Sequence, residues 1–380
     1  MVLAAIGVLH EQLAVYVREP RRWTGLVAKV LLARAIQGSN SIEGYTVSLD
    51  DAVAAIDEDE AEDADPTSWA AVRAYRDAMT YVLQLARDEH FVLSPELIKS
   101  LHFMLQQYDL QKWPGRWRPG DIYVVDGRTG RAVYVGPDAD LVPGLMTELA
   151  QRLQPTDDGT APLVRAAMAH LNLALIHPFK DGNGRMARCL QALMLAREGL
   201  VAPEFCSIEE YLGRNQQAYY AVLTEVAHGV WNPSADATPW MRFCLTAHYR
   251  QALTVRRRTR EADRVWLLAE HAIESAGLAP RTTEGLFYAM IGRRLRNTSY
   301  RQAVRGEISK TVASRDLAAM VAAGVLVAHG ENRGRSYTPS AELINERNRV
   351  RQELRDQHPA DVDPYELVAS GLDGQEALFE

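Results

Sequence analysis

Two apolar helical stretches of this 380-residue chain are joined by a break that holds more chemistry than a helix connection needs. Leu163–Ile176 has helical period, and a second helical run reaches about Glu198, with Gly199 as its C-cap. Between them stands His177-Pro178-Phe179-Lys180-Asp181-Gly182-Asn183-Gly184-Arg185-Met186-Ala187-Arg188. Gly182 and Gly184 let the backbone approach a ligand closely. The helix that follows offers that ligand its free N–H groups and its positive dipole end. Arg185 and Arg188, three residues apart, share one helix face, and guanidinium forks match phosphate oxygens. Asp181 is a hard oxygen donor beside this cradle, as a magnesium ion shared with a polyphosphate requires. His177, with an ordinary pKa of about 6.5, can take a proton from an incoming hydroxyl. A bare Gly-Asn-Gly would be a capped helix turn; a base, a metal ligand, an anion hole and two arginines within one short string are not.

The rest of the first 250 residues reads mainly as helix. Arg22–Gln37 has helical period, with Ser39–Tyr45 close behind, and the acidic stretch Asp50–Asp65 is expected to be a solvated loop. A helix restarts with Thr67 or Ser68 as N-cap and places Trp69, Val72, Tyr75, Met79 and Val82 on one face. Another starts behind Ser94-Pro95. Ile122–Val125 and Ala132–Val135 are short β-rich runs around a turn-rich Asp126–Arg131, a hairpin that needs something packed on it. Helices follow at Leu141–Leu153, Ile208–Val226 and Pro239–Val255, and Arg256-Arg257-Arg258 is expected to mark the exit from the helical region. Tyr300–Arg305, Ser309–Ala323, Gly324–Ala328 and Ser336-Tyr337 have the helix–helix–hairpin order of a winged helix. The tail after Ser340 is polar and charged, with partial disorder expected.

Composition narrows the classes. A net charge of -7 argues against a protein that coats nucleic acid or anionic membrane with its whole surface. Cys189, Cys206 and Cys244 form no CxxC pair, which fits a reducing compartment and neither a disulfide framework nor a zinc site. The apolar opening Met1–Leu9 is short and lacks a basic leader, and no stretch nears the roughly 20 apolar residues of a membrane span. A cytoplasmic protein with no membrane partner is expected.

The string His177–Arg188 resembles the signature of the Fic family, HxFx[D/E]GNGRxxR, at every constrained position. The similarity extends over Arg22 to about Val255, because hairpin, signature and flanking helices come in the family's order. The resemblance implies a mainly α fold, a Fic-type helical core with a β-hairpin flap, followed here by a winged-helix domain. It implies AMP transfer from ATP to a protein Ser, Thr or Tyr hydroxyl, with His177 as base and Asp181 holding Mg²⁺ on the α- and β-phosphates. Gly182, Asn183 and Gly184 would form the anion hole, with Arg185 on the β-phosphate and Arg188 on the γ-phosphate. Lys180 and Met186 complete the implied nucleotide contacts, Tyr219 and Tyr220 would line the adenine pocket, and Val125 of the flap would face the nucleotide. The Asn that some members carry seven residues after the tyrosine pair is Ala227 here. The hairpin 122–135 would hold a target protein by strand addition, the chain itself among the candidates.

Ser39-Asn40-Ser41-Ile42-Glu43-Gly44 resembles the family's inhibitory sequence [S/T]xxxE[G/N]. On a helix Ser39 and Glu43 share a face, and a carboxylate on Arg188 would take the guanidinium that the γ-phosphate needs, leaving ATP badly posed for in-line attack. The expected organisation is an N-terminal helical region with the inhibitory helix (1–66), a catalytic core (67–255), a winged helix (265–340) and a polar tail (341–380). Residues 281–340 hold ten basic side chains against four acidic ones. Lys310 and Arg315 are their obvious base readers, so DNA binding stands second to protein docking or homodimerisation. Two alternatives stay open: another transfer on the same scaffold (phosphate, a different nucleotide, or removal of AMP), and a DNA-binding regulator whose core senses nucleotide.

Overall fold

The computed structural model describes residues 1–125, 132–154, 158–198, 203–304, 308–331 and 334–369. The elements run α1 (Val2–Arg18), α2 (Thr24–Ile42), α3 (Leu49–Asp57), α4 (Pro66–Leu85), α5 (Pro95–Gln106), β1 (Tyr123–Val125), β2 (Ala132–Val135) and α6 (Val142–Arg152). They continue with α7 (Pro162–Ile176), α8 (Asn183–Arg197), α9 (Pro203–Cys206), α10 (Glu209–Arg214), α11 (Gln216–Ala227) and α12 (Thr238–Ser275). After these come α13 (Thr282–Met290), α14 (Asn297–Ala303), α15 (Lys310–Ala322), β3 (Leu326–His329), β4 (Ser336–Pro339), α16 (Ala341–Gln357) and α17 (Pro364–Ala369). Two compact units result: residues 1–14 and 31–252 with the segment from Asp363, and residues 15–30 with 253–362. The first 66 residues are therefore divided between the units, and 341–362 belongs to the second.

In the first unit α8 is the central helix, packed against α7, α4, α5 and α9. Residues 185–195 are buried on every side, so α8 shows no amphipathic stripe, as a fully enclosed helix should not. Local chemistry fixes the starts of its neighbours. Ser94 Oγ accepts the Leu97 N–H ahead of Pro95, as the sequence suggests. Asp65, not Thr67 or Ser68, caps α4: its carboxylate accepts both of their N–H groups, and Pro66 takes the first helical position. Residues 208–226 are two helices, interrupted at Asn215, rather than one.

The acidic stretch is only partly loop. Leu49–Asp57 forms α3, with Ser48 as N-cap and Ala52, Val53 and Ala55 buried. Asp51 is buried too, and accepts from Ser48 Oγ at 2.8 Å and from the Glu62 N–H at 2.7 Å. Charge density hid a short amphipathic helix whose acids occupy its N-terminal turn and outer face. The Arg256–Arg258 run lies just past residue 252, where the first unit ends, but it does not end a helix. It lies inside α12, whose buried stripe continues through Ala262, Val265, Ala269 and Ile273.

β1 and β2 pair antiparallel, Tyr123 with Val135 and Val124 with Tyr134. Tyr134 Oη donates to the Leu175 carbonyl at 2.6 Å, which ties the hairpin to the last turn of α7. The far edge of β2 is occupied by the strand-like Gly229–Trp231: Val135 N–H donates to Gly229 O and accepts through its carbonyl from Trp231 N–H. The turn Asp126–Arg131 lies outside the described residues, as does Gly199.

In the second unit α14, α15 and the β3–β4 hairpin follow one another, with Leu326 facing Pro339 and His329 facing Ser336. Ser309 caps α15, and Leu317 and Met320 fill its inner face. Lys310 and Arg315 are exposed. Arg281 forks onto Asp316 through Nε at 2.8 Å and Nη2 at 2.7 Å, and Tyr300 Oη donates to the same carboxylate at 3.0 Å. The first part of the tail is helical: Ser340 caps α16, which buries Leu343, Val350 and Leu354. Arg305, Glu307, Arg333 and residues 370–380 lie outside the described residues. Among those described, no helix is long and apolar enough to cross a membrane.

Candidate active site

The break between α7 and α8 is held open by its own side chains. His177 ends α7 in the left-handed region, with φ 51°, and its N–H closes onto Leu173 O. Asn183 folds back on Phe179, accepting the Phe179 N–H and donating to the Phe179 carbonyl, both at 2.9 Å. Its side chain therefore braces the loop, and only its backbone is free to serve an anion. Phe179 is fully buried and stacked on His102, centroids 3.6 Å apart. Gly182, at φ 77°, opens α8, and a Cβ there would lie 2.6 Å from Gln106 Nε2. The loop thus needs glycine for both conformation and space.

His177 Nδ1 lies 3.2 Å from the Ala174 carbonyl, which can only accept, so the proton sits on Nδ1 and the Nε2 lone pair is free. Burial, with Arg118 nearby, pushes its pKa below the ordinary histidine value, so the ring is neutral near pH 7. Arg118 sets the loop from outside. Its Nε donates to His177 O at 3.0 Å, its N–H to Pro178 O at 2.9 Å, and its Nη groups to Gly120 and Pro137 carbonyls.

Arg188 is deeply enclosed, its side chain 1% exposed. Nε donates to Ser39 Oγ at 2.7 Å, and Nη2 donates to Ser39 O at 3.0 Å and to Glu43 Oε1 at 2.7 Å. Burial works against this charge, and Glu43, together with the nearby Tyr219 and Tyr75, more than offsets it. Glu43 lies one residue past α2, in a turn whose Gly44 has φ 84°. Its carboxylate also crowds Gly184, so that any Cβ on Gly184 would collide with it. The α2 end is seated by further bonds: the Ile42 carbonyl accepts from Gln216 Nε2 at 2.9 Å and from Tyr220 Oη at 3.1 Å. Beneath it Gly38 meets α10 so closely that a Cβ would lie 2.5 Å from the Glu209 carbonyl oxygen.

The other expected residues separate into two groups. Asp181 precedes the glycine turn, with Oδ1 accepting the Gly182 N–H at 2.5 Å and its carbonyl held by His102 Nε2 at 2.8 Å. Arg185 lies over the Tyr45 ring, 4.9 Å from its centroid, and donates to Tyr108 Oη at 3.0 Å. Lys180 is exposed and donates to the Gln111 carbonyl at 2.9 Å. Met186 and Tyr219 are interior: Met186 is fully buried, and Tyr219 Oη donates to His170 Nε2 at 2.9 Å within a cluster that includes Trp240. Tyr220, half exposed, is the member of the pair at the surface. Val125 lies in β1, whose following turn is outside the described residues. Arg118, His102, Gln106, Lys112 and Tyr45 escaped the sequence reading, because each reaches the loop from a distant segment with no spacing rule to reveal it.

Residues 92–195 match the family model described as the Fic/DOC family. A protein adenylyltransferase fic-1 of Caenorhabditis briggsae is 35% identical over 165 residues, 42% of this chain and 28% of that protein. A protein adenylyltransferase Fic of Nematostella vectensis is 27% identical over 210 residues, 55% of this chain and 45% of that one. The chain thus spans less than half the length of these relatives. Among solved structures, a Fic family protein of Desulfovibrio desulfuricans G20 superposes with a TM-score of 0.57 at 23% identity, covering 90% of this chain and 95% of that one. Fic-1 (aa134 - 508) of C. elegans gives 0.51 at 23% identity, covering 67% and 70%. Likeness at that identity speaks for the fold.

Proposed function

We propose that this chain, which carries a Fic domain at residues 92–195, transfers AMP from ATP to a Ser, Thr or Tyr hydroxyl of a protein and is held inactive by Glu43. The observation that carries the reading is a neutral histidine with a free Nε2, next to a glycine turn that opens the buried α8. The target hydroxyl loses its proton to His177 Nε2, its oxygen bonds to the α-phosphorus, and the bond to the bridging oxygen breaks to release pyrophosphate. The N–H groups at the start of α8 and the arginines Arg185 and Arg188 receive the phosphate charge.

Asp181 suits Mg²⁺: it is a hard carboxylate, 40% exposed, beside the anion turn, and magnesium needs only one or two protein carboxylates when phosphates and waters complete its shell. When bound there, the ion would neutralise charge on the phosphates. β1 pairs only with β2 among the described residues, whereas β2 is paired on both edges, so the open edge for a target strand is that of β1.

With Arg188 tied to Ser39 and Glu43, the γ-phosphate lacks its guanidinium and the α-phosphorus is misaligned. The buried free thiols Cys189, Cys206 and Cys244 fit a cytoplasmic location. The order α14–α15–β3–β4 supports a winged helix, and the buried Asp316 clamped by Arg281 favours a docking or dimerising role for it over DNA. Incubating Glu43→Gly with Mg²⁺ and ATP labelled at either the α- or the γ-phosphorus tests the chemistry. Protein label from the α position only, with pyrophosphate released, is expected; label from the γ position would mean phosphoryl transfer.

A further inference from the structure

The carboxylate assigned to the cation already holds one. Asp181 Oδ2 lies 2.7 Å from Lys112 Nζ, while Oδ1 accepts the Gly182 N–H. The same ammonium donates to Tyr45 Oη at 2.9 Å. Tyr45 belongs to the turn that carries Glu43: its N–H donates to Asn40 O at 3.1 Å, beside the Glu43 N–H bond to that carbonyl at 3.0 Å. Its ring carries the Arg185 guanidinium and meets Tyr108 edge-on, centroids 6.3 Å apart. An ammonium and a divalent cation on one carboxylate oxygen would repel strongly in this half-buried setting.

Resting on the reading of Asp181 as the metal carboxylate, we infer that Lys112 is a resident stand-in for the divalent cation. Tyr45 holds it on Asp181, and it must be displaced before a metal ion can bind. The segment Ser39–Tyr45 then restrains both sides of the site: Ser39 and Glu43 take Arg188, while Tyr45 covers Arg185 and keeps Lys112 on Asp181. Glu43 and the lysine are independent contacts of one turn, so removing the carboxylate alone leaves the cation side restrained.

Mn²⁺ binding to the full chain in the presence of ADP, read by electron paramagnetic resonance, tests this without turnover. ADP lacks the γ-phosphate, the group assigned to Arg188, and all variants keep Glu43, so its effect is common to every measurement. Lys112→Met is expected to lower the Mn²⁺ midpoint about three- to tenfold, the size of a partly exposed charged contact. Tyr45→Phe keeps the ring under Arg185, loses only the hydroxyl, and should lower the midpoint about twofold; it also serves if Lys112→Met fails to fold. Asp181→Ala should abolish saturable binding. If Asp181→Ala abolishes binding while neither Lys112→Met nor Tyr45→Phe lowers the midpoint, the stand-in role is wrong. A raised midpoint in Lys112→Met would likewise overturn it and make the lysine part of the metal or phosphate site. If Asp181→Ala binds Mn²⁺ as tightly as the parent, the metal reading of Asp181 itself fails, and the inference with it.

Discussion

Arg188 in the first unit and Arg281 in the second are both paired with carboxylates at 2.7 Å, yet the two pairs are built oppositely. In the first, the arginine is the buried member, 1% exposed, and the carboxylate of Glu43 comes from a turn at 23%. In the second, the carboxylate of Asp316 is buried at 5%, and the arginine covers it from the surface at 39%. Removing Glu43 leaves a buried guanidinium at the start of a helix, in a place suited to an anionic ligand. Removing Arg281 leaves a buried carboxylate with Tyr300 as its remaining side-chain hydrogen-bond partner among the described residues. A pair whose buried partner is the ligand-binding group can act as a switch, while a pair whose buried partner is a structural acid is a clamp.

The comparison breaks hardest at His177. In the Glu43→Gly background, His177→Ala should lower the transfer rate by about 10²–10⁴-fold with ATP binding retained, measured as label incorporation beside a nucleotide titration. Burial, with Arg118 nearby, lowers the His177 pKa below the ordinary histidine value of about 6.5. The fall in the rate of Glu43→Gly with acid should therefore be centred below that value. A decline centred at the ordinary value would show that His177 is not held as described.

A smaller effect sharpens the switch half. Gly38→Ala touches no reacting group, but its Cβ would press on the Glu209 carbonyl and shift α2 off α10. Basal transfer should rise a fewfold, on the order of 1 kcal/mol of lost restraint. An unchanged rate in a folded Gly38→Ala protein would mean that the seat of α2 does not govern the contact. The clamp half predicts no change in rate. Arg281→Ala should cost about 1–3 kcal/mol of stability at neutral pH, by leaving Asp316 poorly paired, with transfer in the Glu43→Gly background unaltered. Burial alone would raise the Asp316 pKa, and Arg281 and Tyr300 hold it below the usual carboxylate range. The stabilisation is therefore present above that range and is lost as pH falls through the depressed value, so parent and variant should converge in strong acid.

The same contrast explains what could be read from residues alone. The proposed catalytic string was visible because its histidine, carboxylate, glycines and arginines are contiguous, and Ser39–Gly44 because its spacing is short and its partner Arg188 belongs to that string. Arg118, His102 and Lys112 were not, since each acts through a carbonyl or carboxylate more than fifty residues away. Asp50–Asp65 misled because its many acids, one of them the buried Asp51, mask the alanines and valine that α3 packs inward. Arg256–Arg258 lies within a few residues of the boundary between the units, yet ends no helix, because a buried stripe carries α12 straight through the charged run. The basic excess of 281–340 says little about partners until pairs such as Arg281–Asp316 are known.

The contact between Glu43 and Arg188 is the centre of the account, and self-labelling from α-labelled ATP at saturating concentration addresses it most directly. The parent protein should be slow, and Glu43→Gly faster by on the order of 10–100-fold, about 1.4–2.7 kcal/mol, with the gain in turnover more than in apparent ATP affinity. Glu43→Gln, which keeps the size and loses the charge, should fall between them. Glu43→Gly/Arg188→Ala should not recover the gain, because two groups in contact do not contribute additively. Equal rates for the parent and Glu43→Gly, or full activation in the double variant, would contradict the claim that this carboxylate holds the enzyme back through Arg188.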